Sequence, residues 1–215
     1  MSENTGKRFS VTELGNPGNP RGSAGKEMLC GMNERHYAVT GWALGFLELL
    51  PDSRVLDIGC GGGETLRRIA GYIKDGHLTG VDHSPLSVEM SIAQNQESID
   101  DGKMDIICAS VSELPFENDS FDRIITVESF YFWPDPENDL REVLRVLDSG
   151  GIFLITADIH GDAELSGEDR ENIVKYGLFN PTIDEFRKLL ENAGFREVKI
   201  HTKESTNWIC AEGRK

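Results

Sequence analysis

Two carboxylates and a run of glycines carry the clearest chemistry in this 215-residue sequence. Asp57 sits in the apolar stretch Val55-Leu56-Asp57-Ile58, just ahead of Gly59, Gly61, Gly62 and Gly63. Asp82 ends a second apolar stretch, Leu78-Thr79-Gly80-Val81-Asp82. Glycines let a backbone approach a ligand closely and take positive φ at little steric cost. The helix that begins at Glu64 offers unpaired N–H groups and partial positive charge at its start. Strand, glycine turn and helix in that order make a nucleotide site in an open α/β sheet. A carboxylate at position 57 is poorly suited to a pyrophosphate and well suited to an ammonium or another donor. Asp82, one strand later, suits the two hydroxyls of a ribose. The dinucleotide pattern G-x-G-x-x-G fails in register, because from Gly59 and Gly61 the third glycine position is Glu64.

Further polar groups fall where strands end. Glu128 closes the apolar stretch 122–127 and is followed by Phe130, Tyr131, Phe132 and Trp133. A carboxylate at the end of a buried strand is costly unless paired, which points to a task. The alternative is a structural bond to a backbone N–H or to Arg35. The rings offer walls for an apolar or cationic ligand, or core packing. In the polar stretch 32–37, His36 is the best general-base candidate by its ordinary pKa; the alternative is a surface histidine.

These motifs together resemble the class I S-adenosylmethionine-dependent methyltransferases. The signature is D-x-G-C-G-x-G followed by G-x-D, and the segments SELPF, SFDRIITVESFYFWPD and LREVLRVLDSGGIFLI look like the small-molecule branch called type 11. The resemblance covers roughly residues 33–213 and implies S-adenosyl-L-methionine as cofactor. It gives Asp57 the methionine amino end, with a helix cap as the alternative. It gives Gly59, Cys60, Gly61 and Gly62 the backbone cradle, and Asp82 the ribose. His83 would lie beside the adenine or face solvent. Ser110 stands where the family commonly has an Asp for the adenine amino group, so either the adenine is held more loosely or the backbone N–H groups of Val111 and Ser112 do more there. Glu128 falls at both the cofactor and the acceptor, with His36 as its catalytic partner. Tyr37, Tyr131 and Trp133 are the expected acceptor contacts.

The same motifs disfavour other chemistries. N/D-P-P-Y is absent after strand four, against base or glutamine amino methylation, and no Pro-Cys dipeptide serves cytosine carbon. No tyrosine has Lys four residues on, as a short-chain NAD-dependent oxidoreductase would require. The expected function is methyl transfer to a small-molecule acceptor; the rival is a cofactor-binding module or sensor without turnover. The histidines at 36, 77, 83, 160 and 201 show no metal-ligand spacing, so no metal is expected.

The elements that must position these residues alternate. Strands are expected at 55–58, 77–81, 104–109, 122–127 and 152–157. Helices are expected within 26–50 and over 63–74, 84–98 and 137–147. Such alternation gives a parallel sheet with right-handed crossovers. A helix over 182–193 then leads to two closely spaced strands that must pair antiparallel. The expected fold is α/β and doubly wound: a mostly parallel seven-stranded sheet with a reversed C-terminal strand and helices on both faces. Residues 1–25 read as a flexible N-terminal arm and 26–215 as one domain, with 158–180 a lid-like insertion.

The net charge of −15 argues against phosphate-backbone binding. Four cysteines without C-x-x-C spacing read as reduced thiols of a cytoplasmic protein. No signal peptide or membrane-spanning apolar run is expected. Oligomeric state is open.

Overall fold

The computed structural model describes residues 15–215. Residues 1–14, most of the expected arm, lie outside the described residues. Helices α1 (Gly22–Arg35) and α2 (Tyr37–Leu44) precede β1 (Arg54–Ile58), α3 (Glu64–Ala70), β2 (His77–Asp82), α4 (Pro85–Gln94), α5 (Gln96–Asp100) and β3 (Met104–Cys108). Then come β4 (Phe121–Val127), a 3-10 turn at Phe130–Phe132, α6 (Pro136–Val146), β5 (Leu147–Ala157), α7 (Gly167–Tyr176), α8 (Ile183–Ala193), β6 (Arg196–Thr202) and β7 (Ile209–Arg214).

The strands form one seven-stranded sheet in the order β3-β2-β1-β4-β5-β7-β6. The pairs from β3 through β5 are parallel, and β7 runs antiparallel to both β5 and β6. This is the expected architecture. Alternate residues of each strand enter different cores. Leu56, Ile124 and Phe153 pack with Leu140 and Val143 of α6 and Phe186 and Leu190 of α8. Val55, Ile125, Ile152 and Leu154 pack with Leu66 and Ile69 of α3 and Ala43 of α2. Helices on both faces follow from strands that are apolar on both faces.

Local boundaries shift for local reasons. α2 ends at Leu44, short of Leu49 and Leu50, and Glu48 takes φ +50°, which no helix accepts. The long helix expected after Ser84 breaks at Asn95, whose amide donates to Ser91 O and Gly63 O instead of facing solvent. Ser84 caps α4 as expected, its hydroxyl accepting from Ser87 N with Pro85 at the first helical position. β5 begins at Leu147 rather than Ile152, and the expected glycine turn is an irregularity within it, with Gly150 at φ +76°.

The chain builds β1, β2 and β3 outward in one direction, then returns to place β4 on the other side of β1. An open α/β sheet has its ligand crevice at such a reversal, beyond the carboxyl ends of the strands. Asp57, Asp82 and Glu128 all stand at those ends. No helix among the described residues is long and apolar enough to cross a membrane.

Candidate functional site

The glycine loop is pinned on three sides. Gly59 N and Cys60 N both donate to Val81 O at the end of β2, at 2.8 and 3.0 Å. Gly59 takes φ +74°, and a Cβ there would collide with the Ser129 hydroxyl. At Gly62 a Cβ would lie 2.5 Å from the amide of Asn33 on α1. The loop is therefore closed on by the segment after β4 and by the first helix, and only glycine leaves room for both approaches.

A cavity of about 470 Å³ opens beside this loop. Its wall includes Asp57, Gly59, Cys60, Gly61, Gly62, Asp82, His83, Ser110, Val111, Glu128, His36 and Trp133, twelve of the residues anticipated from the sequence. Asp82 is oriented by two backbone donors: Gly61 N on Oδ2 at 3.0 Å and Ser84 N on Oδ1 at 2.9 Å. Each oxygen keeps a second lone pair, enough to accept both hydroxyls of a ribose.

Asp57 differs. It is 1% exposed, and neither carboxylate oxygen has a hydrogen-bond partner. It does not cap α3, whose N-cap is Gly63 with no side-chain bond. Burial, with a contribution from the Asp82 carboxylate, pushes its pKa up to about 8. A buried acceptor left without donors is unusual in a native protein, and this one faces the cavity. The residues fit a ligand carrying an ammonium beside a ribose.

Cys60 contributes backbone rather than a nucleophile. Burial raises its thiol well above the usual range, and Sγ lies 3.8 Å from Ser91 Oγ. Ser110 corrects an expectation: its hydroxyl accepts from Ser112 N at 3.2 Å, so that N–H is already engaged. Val111 is buried and joins the apolar cluster beneath.

In the same cavity wall His36 and Glu128 come together. Glu128 is 4% exposed and has φ +52°, a strained conformation for this residue type. Oε2 accepts from the Tyr131 hydroxyl at 2.8 Å, and the backbone and carboxyl of Asp158 also meet the Glu128 carboxyl. Burial first, then the Asp158 carboxylate, raises the Glu128 pKa well above the carboxylate range. His36 is lowered to about 4, chiefly by burial, against the pull of Asp158. Arg35 makes no ion pair with Glu128 among the described residues, whereas the other half of the anticipated alternative, a backbone N–H, is met at Asp158.

Two anticipated acceptor contacts lie outside the wall of this cavity. Tyr37 is 51% exposed, and its ring lies under the Arg68 guanidinium at 3.9 Å, outside the cavity. Tyr131 does not line the cavity either; it packs on the core and reaches Glu128 through its hydroxyl. Tyr37 opens α2 two residues before buried Val39, on the opposite side of the helix. No residue of 158–180 is in the wall; Phe179 packs on Phe130 at 6.0 Å, behind the 3-10 turn. Pro17, Gly18 and Pro20 line the cavity, and Pro20 O accepts from the Ser84 hydroxyl at 3.3 Å. Phe132, anticipated only as one ring of a run, lines the cavity and lies against Gly18, while the sequence reading missed Asp158.

Comparison with known proteins agrees with this geometry. Residues 56–155 match a family model described as a methyltransferase domain. The chain is 31% identical over 147 residues to the chloroplastic 2-methyl-6-phytyl-1,4-hydroquinone methyltransferase 1 of Oryza sativa subsp. japonica, covering 68% of this chain and 42% of the relative. This chain spans about two fifths of the length of such plant relatives. It is 31% identical over 196 residues to the 27-O-demethylrifamycin SV methyltransferase of Amycolatopsis mediterranei, covering 85% of this chain and 70% of the relative. A crystal structure of an S-adenosylmethionine-dependent methyltransferase from Thermotoga maritima superposes with a TM-score of 0.70 at 23% identity, covering 88% of this chain and 94% of that one.

Proposed function

The chain belongs to the class I S-adenosylmethionine-dependent methyltransferases, and from that premise we propose that it moves the cofactor's methyl group to a small-molecule acceptor. The observation that carries this reading is the buried, unpartnered carboxylate of Asp57 facing the same cavity as the oriented carboxylate of Asp82. In this reading Asp57 takes the cofactor's ammonium and Asp82 its ribose hydroxyls. The loop Gly59–Gly62 passes beside the methionine half, and His83, Ser110 and Val111 flank the adenine. The bound cofactor supplies a methyl on a sulfonium, already activated for in-line displacement. The protein then has mainly to align the reactants and exclude water, which is worth on the order of 7–11 kcal/mol in well-oriented cases.

The acceptor lies at the far end of the cavity, against Trp133 and Phe132, where His36 and Glu128 orient its polar atom. The acceptors named for the rice and Amycolatopsis relatives are small molecules, which supports that class. The acidic surface, net charge −15, speaks against a nucleic-acid partner. All four cysteines are free, consistent with a reducing, cytoplasmic setting.

The test is calorimetry followed by transfer. S-adenosylhomocysteine is expected to bind and NAD not to bind; tighter binding of NAD overturns the reading. Labelled methyl is then expected to reach a member of a panel of hydroxyl, amine and thiol metabolites. Cofactor binding with no transfer to any of them would make the chain a binding module instead.

A further inference from the structure

We propose that His36, Glu128 and Asp158 form a divalent-cation site at the acceptor end of the cavity. The three residues come from separate pieces: the junction between α1 and α2, the residue after β4, and the residue after β5. The fold brings one donor atom of each within 4.8 Å of the other two. Around a cation with bonds of roughly 2.0–2.2 Å, donor atoms stand about 3–4 Å apart, so small side-chain shifts complete the set.

A cluster of acids alone would not carry this. The further observation is Glu128 itself: 4% exposed, in the cavity wall, and set against the Asp158 carboxyl, so that two acids face one another in a buried place where a cation would relieve them. One of its oxygens is fixed by Tyr131, the kind of outer donor that orients a metal ligand. No ion pair from Arg35 to either carboxylate is present among the described residues. One nitrogen and two carboxylate oxygens suit a first-row divalent cation such as Mn²⁺ or Zn²⁺. Three protein ligands leave coordination positions open. His36 and Glu128 line the cavity, so an oxygen of the acceptor is placed to fill one of them. That last role rests on the methyl-transfer reading; the cation site does not. With the cation bound, the His36 lone pair is engaged, and His36 acts on the acceptor through the metal.

The experiment uses the full chain, stripped with chelator, without cofactor or acceptor. Mn²⁺ is titrated and the free ion followed by electron paramagnetic resonance, with Zn²⁺ calorimetry in parallel. One saturable equivalent per chain is expected above the weak background of an acidic surface. Asp158→Asn and Glu128→Gln are expected to weaken it at least tenfold, and Glu171→Gln, an exposed acid on α7, to leave it unchanged. Asp158→Asn lies outside the cavity wall, so retained S-adenosylhomocysteine binding certifies its fold. Absence of a saturable equivalent for both ions overturns the proposal, as does an equivalent that survives Asp158→Asn. Either result with S-adenosylhomocysteine still binding sinks the cation site alone; loss of cofactor binding in the unmodified chain sinks the methyl-transfer reading.

Discussion

Asp57 and Asp82 stand at the ends of paired parallel strands, β1 and β2, yet only one of them has partners. Asp82 accepts from two backbone N–H groups, while Asp57 accepts from none. The charge on Asp82 is part of what raises Asp57. The same fold that satisfies one carboxylate leaves the other waiting for a donor.

That asymmetry gives a pH dependence. The folded-state pKa of Asp57 is raised from 3.8 to about 8, so the folded chain holds a proton that the unfolded chain has lost. Its contribution to stability is present below about pH 4 and declines as pH rises to about 8. His36 acts oppositely: its pKa is lowered from 6.5 to about 4, so stability is lost as pH falls through that window. Urea unfolding of Asp57→Asn and the parent chain separates the two. The variant's advantage should grow between pH 5 and pH 8; a constant difference refutes the shift.

Cofactor affinity should move the other way. The ammonium needs a charged Asp57, so S-adenosylhomocysteine should bind more tightly at pH 8 than at pH 6. In Asp57→Asn the affinity should be weaker and flat across that range. Calorimetry at both pH values reads this directly.

Asp82→Ala should weaken S-adenosylhomocysteine binding at least tenfold. It removes charge-assisted bonds to the ribose and the anchor of Gly61 N. Ser110→Ala should cost under threefold, about 0.65 kcal/mol, because the Ser110 hydroxyl is already turned to Ser112 N. Equal losses would show that the adenine end matters more than this geometry implies.

Tyr131→Phe should destabilise the chain by about 1–3 kcal/mol, since it removes the hydroxyl donor to a buried carboxyl oxygen. S-adenosylhomocysteine affinity should stay within about threefold, because the residue is outside the cavity wall. Thermal unfolding and calorimetry on one preparation test both halves.

Gly59→Ala should cost roughly 1–2 kcal/mol for the left-handed backbone alone, and more for the collision with Ser129. Ser129→Gly in the same chain should recover only the steric part. Full recovery would mean that φ +74° is not the constraint.

Much of this protein was legible locally. The parallel sheet, the reversed last strand and the helices on both faces follow from which stretches are apolar and from how little chain separates the last two strands. The glycine loop, Asp57 and Asp82 are neighbours through adjacent strands, so their spacing in sequence nearly fixes their spacing in space. Tertiary structure alone decided that Asp57 has no partner, because donors to a buried oxygen come from whatever chain passes by. It also decided that Tyr37 turns to Arg68, that Pro17, Gly18 and Pro20 line the cavity, and that Asp158 meets His36 and Glu128. Positions 36, 128 and 158 share no period and no motif. They converge because strand order reverses beside β1, bringing β4 and β5 to one side of the crevice while the end of α1 crosses its mouth. Sequence spacing records local periodicity, and a site assembled from the ends of distant elements leaves no trace in it.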